Sequence, residues 1–132
     1  MSTKYDGRLP TDFESATKML RGKDQQRWIG VSNTAIRRVL KPTERIEVLH
    51  HGTVIATFFA NGAMRFGTGG YSTWSTNQRL NAMVPHGVLY RTREGSAEFR
   101  IKRGDRMETI SAYHYDLMVH IDGRLEAVKR ER

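Results

Sequence analysis

A chain of 132 residues fits one domain and is long enough to bury a core without covalent staples. Its 22 Lys and Arg against 14 Asp and Glu give a formal charge of +8, which favours anionic partners, nucleic acid first among them. The absence of cysteine excludes disulfides and thiolate metal sites, and no apolar run approaches the roughly 20 residues that span a bilayer.

Residues 1–10 read as an irregular lead-in, with no apolar core of a secretion signal, so a cytoplasmic protein without membrane contact is expected. Thr11-Asp12-Phe13-Glu14 reads as a capping box, the Thr11 hydroxyl and the Glu14 carboxylate satisfying free N–H groups at a helix start. Phe13, Ala16 and Leu20 then recur at helical spacing, with Met19 beside them and Gly22 as the stop. A polar connector leads to Trp28-Ile29-Gly30-Val31, a short strand, and Ser32-Asn33-Thr34 is turn chemistry. The stretch 34–40 fits a strand or a helix, and Pro42 ends it either way.

From Glu44 onward the alternation is clear: Ile46, Val48 and His50 against Arg45, Glu47 and Leu49. Thr53 to Phe59 is a β-branched and aromatic strand, and Asn61-Gly62 predicts a type I′ hairpin turn back into Ala63 to Phe66. Gly67, Gly69 and Gly70 break the sheet. Ser75 or Thr76 caps a short helix through about Met83, which Pro85 and Gly87 end. The remainder predicts short strands at Val88 to Arg93, Ala97 to Lys102, Met107 to Ser111, Leu117 to Ile121 and Leu125 to Val128. Glu94-Gly95-Ser96, Gly104-Asp105 and Asp122-Gly123 lie between them. The whole reads as α+β: an antiparallel β-meander, as a curled sheet or small open barrel, with two short helices in a single domain over 1–132.

Two stretches carry candidate binding chemistry. The first runs from Gly69 to Asn81, within a window from His51 to Tyr90 that holds Arg65 and Arg79 and no acid. A helix start offers free N–H groups to phosphate, and Thr73, Ser75 and Thr76 can bond phosphate oxygens. Tyr71 and Trp74 offer faces for stacking. Arg79 can pair with phosphate or guanine, and Gln78 or Asn81 can read adenine. The same residues also read as an ordinary cap and a core aromatic. The second stretch combines Arg27, Trp28, Asn33, Arg37 and Arg38, a basic patch with an interleaved aromatic. It reads equally as an edge strand blunted by arginine.

Arg100, Lys102, Arg103 and Arg106 are offset by Glu98, Asp105 and Glu108 and read as a solvated face. His50, His51, His86, His114 and His120 have no recognisable metal-ligand spacing, and no nucleophile elbow, P-loop or dinucleotide fingerprint occurs. The expectation is therefore a binding protein without enzymatic activity, metal or cofactor.

The chain resembles a group of small proteins common in tailed-phage genomes. The likeness lies in Arg27 to Thr34 followed by Arg37-Arg38, in His51-Gly52-Thr53-Val54-Ile55, and in Gly69-Gly70-Tyr71, Thr73, Ser75-Thr76 and Arg79-Leu80-Asn81. It covers about residues 20–101 and leaves 102–132 as C-terminal strands largely outside it. Tyr71 stands where the group has Trp, and Ser75 where it has Thr. The resemblance implies a phage origin, hence action in the bacterial host cytoplasm, and implies no mechanism. The expected function is nucleic-acid binding by an accessory protein. The alternatives are an inhibitor that binds a host protein and a binder of a small phosphorylated ligand.

Overall fold

Alternating apolar residues dictate strands, and strands dominate. The computed structural model describes residues 9–20, 25–29, 33–69, 74–93 and 96–130. Among the described residues there are two helices, α1 (Phe13–Leu20) and α2 (Trp74–Met83). The first five strands are β1 (Gln26–Trp28), β2 (Thr34–Val39), β3 (Arg45–His50), β4 (Thr53–Phe59) and β5 (Met64–Phe66). They are followed by β6 (Val88–Arg93), β7 (Ser96–Arg103), β8 (Arg106–Ser111), β9 (Tyr115–Val119) and β10 (Leu125–Lys129).

Every strand pairing is antiparallel, so the fold is α+β. Seven strands form one sheet in the order β1-β2-β3-β4-β5-β9-β10, and β6-β7-β8 form a second. The first five strands are neighbours in sequence order. The chain then leaves to build α2 and the smaller sheet, and returns as β9 beside β5. Both outer strands, β1 and β10, have an open side, so the large sheet is not closed into a barrel.

The inner face of the large sheet makes the core. In register across it lie Ile36, Val48, Ala56, Phe66 and Leu117, each buried. The next row adds Ile46, Phe58 and Val119, and Phe58 meets Phe66 edge-to-face at 5.9 Å. Ala16 and Leu20 of α1, Leu80 and Met83 of α2, and Tyr90, Phe99 and Ile101 of the small sheet join the same apolar cluster. α1 covers the inner face because its apolar residues recur on one side, whereas α2 is only weakly one-sided and buries Thr76 and Arg79 beside Leu80 and Met83.

Several local expectations shift. The cap of α1 is Asp12 rather than Thr11: its Oδ1 accepts from the Ser15 N–H at 2.7 Å, and Ser15 Oγ accepts from the N–H groups of Thr11 and Asp12. Those bonds hold the Asp12 carboxyl below its usual range. Glu14 instead pairs with Lys18 at the surface. The 34–40 stretch is a strand, with β1 on one side and β3 on the other. The first strand ends at Trp28 instead of starting there, while Gly22, Gly30, Val31 and Ser32 lie outside the described residues, as does the Glu94-Gly95 turn.

The type I′ turn falls at His51-Gly52, both at positive φ (54° and 80°), between paired His50 and Thr53. At Asn61-Gly62 only the glycine is at positive φ, and the Phe59 carbonyl accepts from the Gly62 N–H at 2.9 Å in a longer loop. α2 starts at Trp74, one residue before Ser75 and two before Thr76, the predicted caps, and β9 begins at Tyr115, two residues before Leu117.

Candidate functional site

The outer face of the large sheet is built by the residues that alternate with the core rows. One row crosses all seven strands in register: Gln26, Arg37, Glu47, Thr57, Arg65, Met118 and Glu126. Strands about 4.8 Å apart put Arg37 and Arg65, three strands from one another, about 14 Å apart. Two arginine–carboxylate–arginine groups organise this face. Glu47 takes Arg37 through Nε (3.1 Å) and Nη2 and Arg45 through Nε at 3.3 Å. Asp116 takes Arg65 through Nε at 2.9 Å and Arg130 through Nε at 3.4 Å. Four guanidinium groups thus face two carboxylates. Trp28 lies on the same face at the β1 edge, paired with Ala35, and is 66% exposed.

The start of α2 sits over a different chemistry, a polar cluster inside the fold. Arg79 is 5% exposed. Its Nε donates to Thr34 Oγ1 at 2.7 Å and its Nη1 to the Ser75 carbonyl at 3.0 Å. His50 Nε2 lies 2.9 Å from Ser75 Oγ, and its Nδ1 3.5 Å from Thr34 Oγ1. Burial, the Arg79 guanidinium and His51 together push His50 down to about 4 against an opposing bond to the Asn33 backbone, so the ring is neutral at pH 7. Ser75 and His50 have the spacing of a nucleophile and its base. Thr34 and His50 are both buried, however, and the cluster ties α2 to β2 and β3.

The two predicted stretches meet here, through the Arg79–Thr34 bond, but mostly inside. Thr76 is buried and Gln78 half-buried. Asn81 uses its side-chain amide as a strand would: Oδ1 accepts from the Tyr90 N–H and Nδ2 donates to the Tyr90 carbonyl, both at 2.7 Å. It thereby covers the edge of β6. Thr73, Gly70, Tyr71 and the Trp74 side chain lie outside the described residues.

In the other stretch, alternation separates neighbours. Trp28 and Arg37 share the outer face, whereas Arg27 and Arg38 lie in the rows of Ile36 and Ile46. Arg27 donates to the Met19 carbonyl at 2.8 Å and Arg38 pairs with Glu44 at 3.3 Å. Asn33 is exposed in the turn at φ 56°, its carbonyl accepting from the His51 N–H.

Sequence reading did not single out Thr57, Arg65, Asp116 or Arg130. The signal present was the acid-free window containing Arg65; its partner Asp116 lies 51 residues away and becomes visible only once β5 pairs with β9. No helix of the described residues is long and apolar enough to cross a membrane.

A protein-family model described as Kyanoviridae Gp96 protein matches residues 14–115, most of the chain. No curated protein and no solved structure matches.

Proposed function

The chain belongs to the Kyanoviridae Gp96 protein family, a phage family, and from that premise we propose that it is a non-enzymatic accessory protein that binds nucleic acid through the outer face of its seven-stranded sheet. The observation that carries this reading is the company Trp28 keeps. An indole exposed to 66% shares one face with Arg37, Arg45, Arg65 and Arg130, which Glu47, Asp116 and, at the far edge, Glu126 oppose. The indole is a stacking platform for a base, and the surplus cationic charge follows a phosphate backbone. The carboxylates hold the guanidinium planes in place; Arg65 keeps its terminal N–H groups without a partner among the described residues, whereas Arg45 and Arg130 turn theirs to backbone carbonyls.

Fluorescence anisotropy with labelled single- and double-stranded oligonucleotides across a salt series tests it. Binding at micromolar or tighter concentration is expected, with log K falling by about 0.7 per neutralised phosphate for each unit of log[salt] on single strands. Trp28→Ala should leave stability unchanged and weaken single-strand binding about tenfold, the loss of one stacked base. No binding at low salt would sink the reading.

A second reading rests on the small sheet. Leu89 and Met107, 47% and 57% exposed, share its outer face with Arg91, Arg100 and Lys102, and with Glu98, which pairs with Arg100 at 2.7 Å. An apolar and basic surface of this kind suits an acidic patch on a host protein. A host protein retained at fixed stoichiometry after nuclease treatment, and released by Met107→Asp, would favour it.

A further inference from the structure

The outer face of the large sheet contains a cavity of about 180 Å³ lined by Thr57, Arg65, Gly67, Gly69, Asp116 and Arg130, together with the neighbouring β4 backbone. Ligand pockets for whole small molecules run to roughly 300–1,000 Å³, so this one suits a single chemical group. Its walls offer donors. Arg65 uses Nε on Asp116, and its two terminal amino groups have no hydrogen-bond partner among the described residues. Thr57 is 7% exposed, yet its hydroxyl also has no partner among the described residues. The oxygen is not closed off from solvent, since among the described residues only Asn77 Oδ1 is both buried and without a hydrogen bond, so the hydroxyl is open to a group that enters the cavity.

Thr57 and Arg65 are direct cross-strand partners, which puts their Cβ atoms about 5 Å apart and lets both reach one group. Arg130 has a different part. Its Nη1 donates to the Tyr113 carbonyl at 2.7 Å and its Nη2 to the Ala112 carbonyl at 2.6 Å, so it anchors Asp116 from behind. Two guanidinium groups against one carboxylate leave the cavity a net positive charge.

The glycines complete the wall. A Cβ on Gly67 would overlap the Asp116 carboxylate, and one on Gly69, at φ 65°, would overlap the Thr53 methyl group. Neither position accepts a side chain without moving the group that orients Arg65 or the strand beside it.

We propose that this cavity seats one phosphate group, bound by the terminal N–H groups of Arg65 and the Thr57 hydroxyl. A tetrahedral, acceptor-rich anion matches a donor-lined, singly positive cavity of this size, and a guanidinium whose plane is fixed by Asp116 is set for paired bonds to phosphate oxygens. The seat does not depend on the nucleic-acid reading: a phosphodiester or a small phosphate ester presents the same chemistry.

The test is thermal unfolding of the full chain in inorganic phosphate against sodium chloride of matched ionic strength. Phosphate should raise the wild-type melting temperature by about 3 °C or more when present well above its Kd. Thr57→Val keeps the shape and removes only the hydroxyl. It should melt like wild type in chloride and lose most of the phosphate-specific rise, and Arg65→Gln should lose it as well. No rise in wild type, or the same rise in Thr57→Val, overturns the proposal.

Oligonucleotide titration of Thr57→Val then separates the sources. A three- to tenfold weaker affinity assigns the phosphate to a nucleic-acid chain. Unchanged affinity with the phosphate rise lost assigns it to a small ester, and both outcomes uphold the seat. If wild type binds no oligonucleotide while phosphate still raises its melting temperature, the nucleic-acid reading fails and the seat stands.

Discussion

Arg65 and Arg79 are the two arginines of one acid-free stretch, and the fold puts them to opposite uses. Arg79 is 5% exposed and bonds to Thr34 and the Ser75 carbonyl beneath the start of α2. Arg65 keeps a third of its side chain in solvent and holds one carboxylate while its terminal amino groups stay open. The difference teaches that a cation beside a helix start is not thereby a ligand site. What decides is whether its donors are already used.

Substitution breaks or sharpens that contrast. Arg79→Ala removes two bonds made by a charged group inside the fold, leaves the Thr34 hydroxyl short of a partner, and should cost about 3 kcal/mol of unfolding free energy. Arg65→Gln removes a partly exposed ion pair and should cost less than about 1 kcal/mol. Urea titrations of the two variants measure both. Equal stabilities would mean that Arg79 is no more structural than Arg65, and the contrast would collapse.

Asn81 extends the structural side to the edge of the small sheet. Its amide gives and takes one bond with the Tyr90 backbone, as a neighbouring strand would. Asn81→Ala should cost about 2 kcal/mol, since it leaves a backbone donor and acceptor unpaired on a half-buried edge. Asn81→Asp keeps an acceptor for the Tyr90 N–H but turns a second oxygen toward the Tyr90 carbonyl, and should recover little. Amide exchange at Tyr90 reports it: protection should fall in both variants while β3 and β4 stay protected. Unchanged protection would show that α2 does not close the β6 edge through Asn81.

Period-two alternation made β3 and β4 readable from sequence, because Ile46, Val48 and Phe58 must point one way. The apolar spacing of Phe13, Ala16 and Leu20 did the same for α1. Its cap was harder, since Thr11 and Asp12 are both capping residues and only the Ser15 bonds distinguish them. At the turns, Asn61-Gly62 looked the stronger signal, but positive φ at both turn residues went to His51-Gly52, where the strands pair tightly through His50 and Thr53. The open sheet was not legible either, because whether β10 returns to β1 is set by how many strands lie between and not by any one of them. As for the site, Arg37 and Arg38 read as one patch while 34–40 could be strand or helix; as neighbours in a strand they face opposite ways, and the patch divides. The Arg65–Asp116–Arg130 group was not legible, for it joins β5, β9 and the chain after β10, elements that sequence gives no reason to place together.

The interior cluster also carries a pH dependence. His50 faces Thr34, Ser75, Arg79 and the ring of His51, with the two imidazole centroids 4.3 Å apart. Burial, then Arg79, then His51 bring its pKa from about 6.5 down to about 4. The unfolded chain therefore takes up a proton between those values while the folded chain does not. Stability contributed by the neutral ring is present above about pH 6.5 and is lost as the pH falls toward about 4. Carboxylates titrate near the lower end, so the useful quantity is the difference from His50→Gln, which cannot take up that proton. The urea midpoint of wild type should fall more steeply than that of His50→Gln between pH 6.5 and 4.5. Arg79→Ala, which removes one of the causes, should lie between them in slope. Parallel curves for all three would place the His50 ring in contact with solvent, and the interior reading of the cluster would fall with it.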